Sequence, residues 1–150
     1  MKIKVKKLHP DATLPKSAHN TDAGYDLVAV DDGIFFREDN QLSYLEYDTG
    51  IAVQPEKGFH LEIFPRSSVT KTDLMLGNGI GLVDNLYTGP VKLRFHVFPD
   101  RYGTYNGIKY KKGDRIGQLV VRRTEHAEFE WVEELSETPR NTGGFGSSGN

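Results

Sequence analysis

Apolar and polar residues alternate with a period of two along most of this chain. In "VKLRFHVF", Val91, Leu93, Phe95 and Val97 share one face, and Lys92, Arg94 and His96 the other. That alternation predicts a half-buried strand. "KIKVKK" alternates in the same way, and "GFHLEIF" sets Phe59, Leu61 and Ile63 on one face. "YDLVAV", "SYLEYDTGIAV", "DRIGQLVV" and "FEWV" read as further strands, because they are rich in β-branched and aromatic residues. Turn signals separate them: "DDG" at Asp31, "REDN" at Arg37, "PEKG" at Pro55, "PDRYG" at Pro99 and "KKGD" at Lys111. No window carries a long amphipathic helix. At most one short helix is expected, after Pro65 in "SSVTKTD", with Ser67 or Ser68 as its N-cap. Many short strands with frequent turns imply an all-β sandwich, jelly roll or barrel, with Trp131 in its core.

Composition narrows the class. The chain has 150 residues, which suits one domain. It has no cysteine, so disulfides, thiolate metal sites and a cysteine nucleophile are excluded. The formal net charge is −2, from 19 basic and 21 acidic residues, so no overall field draws nucleic acid or a membrane. The basic start, "MKIKVKKLHP", lacks the apolar core of a signal peptide. The expectation is a cytoplasmic domain without membrane or direct nucleic-acid binding.

Several constellations carry chemistry. In "FPRSSV", Arg66, Ser67 and Ser68 join a guanidinium to two hydroxyls, an arrangement suited to an anion; plain capping is the commoner use of such residues. In "GNGIGLVDNLYTGPVKLRF", Asn78 and Gly79 form a turn, and Asp84 ends an apolar run where it could serve as a general base. The alternative is that Asp84 opens an Asx-turn. "NLYTGP" reads as a hairpin bend around Tyr87, able to show backbone donors and acceptors to a base edge. In "TDAGYDL", Asp26 could hold a metal-bound water or serve only as a turn residue. In "KKGDRIGQL", Asp114 and Arg115 could pair, and Gln118 among apolar neighbours needs a partner, which a phosphate or its metal shell could supply. The closing "RNTGGFGSSGN" combines arginine, small hydroxyls, glycines and one ring. It suits either a frayed tail or a lid over a nucleotide. The five histidines show no metal-ligand spacing, and no Walker loop or GxSxG elbow occurs.

Taken in order, "AGYDL", "PRSS", "GxVDxxYTG", "GDRIGQL" and "RxxGGFGSSG" resemble the five motifs of the homotrimeric deoxyuridine triphosphate nucleotidohydrolases, the dUTPases. The resemblance runs from about Asp22 to Gly149. It implies a jelly-roll-like β-domain over residues 1–138 and a mobile C-terminal arm over 139–150 that closes on a neighbouring subunit's site. It implies hydrolysis of dUTP to dUMP and pyrophosphate by a homotrimer that uses Mg²⁺. Asp84 is then similar to the base that activates water for attack at the α-phosphorus. Tyr87 looks like the residue that stacks on deoxyribose and excludes a 2′-hydroxyl. Asn78, Gly81, Leu82, Val83 and Lys92, on the hairpin from Asn78 to about Lys92, look like the uracil pocket. Arg66, Ser67, Ser68 and Gln118 look like triphosphate ligands, and Asp26 like the holder of Mg²⁺ through water. Arg140 looks like the catalytic arginine on the γ-phosphate, and Phe145 like the ring over uracil. Gly146, Ser147 and Ser148 complete the arm's contacts.

The chain departs from the familiar pattern at Ser68 and Val69 (often Gly-Leu), Asp73 (often Gly), Thr88 (often Arg), Gly117 (often Ala) and Ser148 (often Thr). The stretches 31–47 and 99–110 are longer than in compact members and suggest extended hairpins. A dCTP deaminase of the same fold is the nearest alternative, but the complete arm and the pairing of Asp84 with Tyr87 favour hydrolysis. A nucleotide-sensing or protein-binding module on this fold is the other alternative.

Overall fold

The computed structural model describes residues 1–36, 44–99 and 109–143. Among them run β1 (Lys4–Lys7), β2 (Gly24–Val28), β3 (Ile34–Phe36), β4 (Tyr44–Gln54), β5 (Phe59–Phe64), β6 (Leu74–Leu76), β7 (Gly81–Val83), β8 (Pro90–Val97) and β9 (Arg115–Arg123). One sheet has the order β1-β4-β8-β6, with β3 also paired to β4; the other has the order β2-β9-β5-β7. Every strand pair is antiparallel. The all-β expectation therefore holds, and the strand windows read from alternation hold with it, except "FEWV". Among the described residues no helix is long and apolar enough to cross a membrane.

Alternation decides which faces meet. Val91, Leu93 and Phe95 of β8 point inward and are buried, while Lys92 and Arg94 point out. Leu61 and Ile63 of β5, Ile116 and Leu119 of β9, and Leu27 of β2 close the core from the other sheet. Each such side chain contributes about 1.5–3 kcal/mol when fully buried. Tyr47 lies deepest, with its ring edge-on to Phe95 at 5.9 Å and to Tyr110 at 6.0 Å. Its hydroxyl donates to the Tyr110 carbonyl at 2.9 Å, so the buried phenol is satisfied and ties β4 to the entry of β9.

β4 breaks strict alternation and is buried almost throughout. Its register against β8 shifts between Asp48 and Ala52, and there Thr49 Oγ1 donates to the Val91 carbonyl at 2.6 Å. Glu46 lies opposite Arg94 on the outer face, yet it is only 6% exposed. Lys92 Nζ at 2.8 Å and Arg94 Nε at 2.7 Å cover its carboxylate. Arg94 in turn lies over the Tyr44 ring, which stacks on Phe36.

Three expectations need correction. The turn after Pro65 is a short 3₁₀ segment, Ser67–Lys71, whose N-cap position is Arg66 and carries no side-chain cap; neither Ser67 nor Ser68 fills it. "FEWV" forms no strand: among the described residues none pairs with 129–132. Trp131 is consequently fully exposed rather than core. The stretch 31–47 does begin and end as hairpin arms, β3 against β4, although 37–43 and most of 99–110 lie outside the described residues.

Burial pushes the Glu46 carboxyl up, but the hydrogen bonds and charges of Lys92 and Arg94 outweigh it and hold the group below its ordinary 4.5. A carboxyl depressed in the folded state adds stability above its unfolded pKa and loses it as pH falls through the folded value. Glu46→Gln should therefore cost about 1–2 kcal/mol at pH 7, between the worth of exposed and buried pairs. The gap to the wild type should narrow toward pH 3. Urea unfolding at several pH values checks this, and a gap that is constant with pH would mean the charge is not what matters.

Candidate active site

One cluster forms where β2, β9 and the end of β5 meet. Asp26 pairs across the sheet with Gln118, and the register slips just beyond, between Leu27 and Val28. Arg66 Nε donates to Asp26 Oδ1 at 2.7 Å, and Arg115 Nη1 to Asp26 Oδ2 at 3.0 Å. Two guanidiniums thus share one carboxylate, which leaves the cluster one positive charge in excess. Arg66 Nη1 also reaches Ser68 Oγ at 3.5 Å, and Ser67 is exposed beside it. Gln118 Nε2 donates to the Pro65 carbonyl at 3.3 Å, so the protein itself supplies the partner this amide needs. Gly24 makes room for it: a Cβ there would stand 2.5 Å from Gln118 Oε1. The expected Asp114–Arg115 pair does not form. Asp114 Oδ2 instead accepts the Lys111 N–H at 2.7 Å and holds the turn before β9, which frees Arg115 for Asp26.

A second cluster lies on the hairpin between β7 and β8. The Asn78-Gly79 turn forms with Gly79 at φ +67°. Gly81, Leu82 and Val83 then pair with β5, with Val83 buried and Leu82 exposed. The next turn is closed by the backbone, Tyr87 N–H to the Asp84 carbonyl at 3.1 Å. The exposed Asp84 carboxylate makes no hydrogen bond or ion pair with any described residue, so it is not the cap of an Asx-turn. Tyr87 folds back over the hairpin and donates to the Pro90 carbonyl at 3.0 Å. Glycine at 89 permits this, since a Cβ there would lie 2.6 Å from the Tyr87 hydroxyl. Between the hairpin arms opens a cleft of about 310 Å³, lined by Asn78, Gly81, Lys92, Arg94, His96 and Tyr44 among others. That size suits a single small ring system. Lys92 is fixed at its rim, and the hydrogen bond to Glu46 raises its pKa and secures its charge.

Asp84 and Arg66 stand apart within the chain, although Gly81 at the other end of the hairpin lies opposite Ile63, three residues before Arg66. In the register of β5 with β7, Leu61 faces Val83 and Ile63 faces Gly81, which puts Asp84 level with His60. Arg66 lies six residues further along β5, or roughly 20 Å at about 3.3 Å per residue. Arg140 joins neither cluster: it donates to the Gly143 carbonyl at 2.8 Å inside its own turn. Phe145, Gly146, Ser147 and Ser148 lie outside the described residues.

Among the described residues no three His, Asp or Glu side chains gather as a metal cage. Asp26 uses one lone pair of each oxygen on its two arginines and keeps two for other donors. Those two lone pairs could accept from the water shell of a Mg²⁺ carried in on an anionic ligand, since the cluster's own charge is positive.

Sequence reasoning missed Arg115 as a partner of Asp26, because the pairing crosses from β9 to β2 and depends on the slipped register. It also missed Glu46. The only trace is an acidic residue inside "YLEY", and its burial depends on two cations arriving from β8.

Comparison with known proteins places the chain. A family model described as dUTPase matches residues 10–149. The deoxyuridine 5′-triphosphate nucleotidohydrolase of Helicobacter pylori strain J99 is 37% identical over 150 residues, spanning 99% of this chain and 97% of the relative. The protein of that name from Rhodococcus erythropolis is 39% identical over 150 residues, spanning 99% and 87%. The solved structure of the Staphylococcus bacteriophage 80alpha dUTPase with dUPNHPP matches 99% of both chains with a TM-score of 0.79 at 27% identity. Model, relatives and solved structure agree over nearly the whole length, and the chain belongs to the dUTPase family.

Proposed function

We propose that this chain hydrolyses dUTP to dUMP and pyrophosphate, with Asp84 as the general base. The observation that carries the proposal is the exposed carboxylate of Asp84, without a partner among the described residues, on the same hairpin whose Asn78, Gly81 and Lys92 line a cleft of nucleobase size. Uracil enters the cleft between the hairpin arms, and Tyr87 packs on the deoxyribose. Asp84 accepts a proton from a water in line with the α-phosphorus. The water oxygen bonds to that phosphorus as the bond to the bridging oxygen breaks, and pyrophosphate leaves. Arg66, Ser67, Ser68 and Gln118 take the phosphate oxygens, where fixed donors and positive charge stabilise the transition state. Asp26 would hold Mg²⁺ through water, and the ion would neutralise charge on the triphosphate.

The assembly is a homotrimer in which each site draws on more than one copy. Two observations support this. Asp84 and Arg66 are roughly 20 Å apart along the β5 direction in one chain, too far to act on adjacent phosphates. Phe129, Trp131 and Leu135, 96%, 103% and 86% exposed, also leave large apolar surfaces uncovered in a single copy. Residues 1–138 form the body. Residues 139–150 form an arm that closes over the nucleotide and brings Arg140 to the γ-phosphate, Phe145 onto the base, and Gly146, Ser147 and Ser148 to the phosphates.

Product analysis tests the reaction. dUTP with Mg²⁺ should give dUMP and pyrophosphate, whereas dUDP and inorganic phosphate would place attack at the γ-phosphorus and contradict it. Asp84→Asn should lower kcat by about 10²–10⁴ with little change in nucleotide affinity, as expected on losing a general base. Near-normal turnover by the folded variant would refute the role. Deleting residues 140–150 should leave a folded trimer whose kcat falls more than its KM rises. Sedimentation and steady-state kinetics check both parts, and a truncated enzyme working at the full rate would remove the arm from the mechanism.

A further inference from the structure

His96 is the last outward position of β8, beyond Lys92 and Arg94. Its strand is paired on both sides there, with Tyr44 of β4 opposite on one side and Met75 of β6 on the other. The Gly77 N–H donates to the Arg94 carbonyl at 2.8 Å, and the imidazole lies against that glycine. A Cβ at 77 would stand 3.4 Å from Nε2 and 3.7 Å from Cδ2. The ring forms part of the wall of the cleft beside the hairpin. Nδ1 is buried and has no hydrogen-bond partner. Nε2 has no partner among the described residues either, but it is not sealed in. It is therefore the ring nitrogen that a molecule in the cleft can reach.

A neutral imidazole carries its proton on one nitrogen and a lone pair on the other. In folded proteins a buried N–H without an acceptor is rarer than a buried acceptor without a donor. The sealed surroundings of Nδ1 thus favour the tautomer with its proton on Nε2. Lys92 and Arg94, on the same wall, are already bonded to Glu46.

We propose that His96 determines specificity in this cleft: its Nε2–H donates and cannot accept, and it selects a pyrimidine with a carbonyl at C4 over one with an amino group there. The uracil O4 accepts such a bond. The cytosine amino group is itself a donor, so two donors would face each other unpaired. That the cleft takes a pyrimidine rests on the function proposed above; the tautomer of His96 does not.

The test uses the wild type, His96→Gln and His96→Leu, with dUTP and dCTP as competing substrates. Glutamine can present either a donor or an acceptor by turning its amide, and leucine presents neither. Both variants should lower the ratio of kcat/KM for dUTP over dCTP by about 3–10-fold, the worth of one hydrogen bond. In His96→Leu the change should fall on KM for dUTP, with kcat little altered; in His96→Gln it should come as a gain with dCTP. A ratio that stays at the wild-type value in both variants would show a ring that only packs, and would overturn the proposal. Nitrogen-15 NMR of the wild type reads the same bond without any substitution. The His96 proton should sit on Nε2, and that signal should move with dUMP and stay with dCMP. A proton on Nδ1, an equal shift with dCMP, or dUMP shifts at the Asn78 and Gly81 amides with none at Nε2 would each overturn this inference and leave the cleft reading standing. No shift at any of the three would overturn both. A wild type whose Nε2 signal responds to dUMP but which leaves dUTP intact would contradict the proposed hydrolysis alone.

Discussion

The register of β5 constrains everything else. This strand is paired on both edges, to β7 through Leu61, Glu62 and Ile63 and to β9 through all six of its residues. A slip of one residue would turn Leu61 and Ile63 out of the core, so burial locks the register. Once locked, it sets the hairpin and Asp84 level with the start of β5, and Arg66 past its end. The positions of Asp84 and Arg66 thus follow from core packing. In one chain they lie at opposite ends of the same strand, and the shared site in the proposed trimer follows from that separation.

The charged groups are arranged in two ways. Asp26 and Glu46 each hold two cations, Arg66 with Arg115 and Lys92 with Arg94. Both carboxylates are largely withdrawn from water and serve to fix the direction of longer side chains. Preorganised cations need no reorganisation when charge develops on a phosphate. Asp84 is left without such a partner among the described residues. A base must keep its lone pair for the water it activates, and an arginine on Asp84 would compete for it.

Much of this was legible in the sequence. The period of two in "VKLRFHVF" and "GFHLEIF" places Leu93, Phe95, Leu61 and Ile63 inside, because backbone geometry forces alternate side chains to opposite faces. The turn at Asn78-Gly79 and the bend at Tyr87 follow from local chemistry in the same way. What local pattern does not encode is pairing across the sandwich. Arg115 was assigned to its neighbour Asp114, yet Asp114 is occupied by its own turn and Asp26 lies across the sheet. Glu46 reads as a flaw in a buried strand until Lys92 and Arg94 are seen above it. Trp131 reads as core because aromatic residues usually are, yet it stands fully exposed.

The central claim is that Asp84 and Arg66 of different copies act on one nucleotide. Subunit mixing tests it most directly. Asp84→Asn and Arg66→Ala are each expected to be inactive alone. Unfolded together and refolded as mixed assemblies, they should regain a definite fraction of dUTP hydrolysis, because some sites then combine the intact Asp84 of one copy with the intact Arg66 of another. If both residues of a site came from the same chain, no mixture could contain an intact site. Activity that stays at the level of the separate variants in verified mixed assemblies would contradict the account.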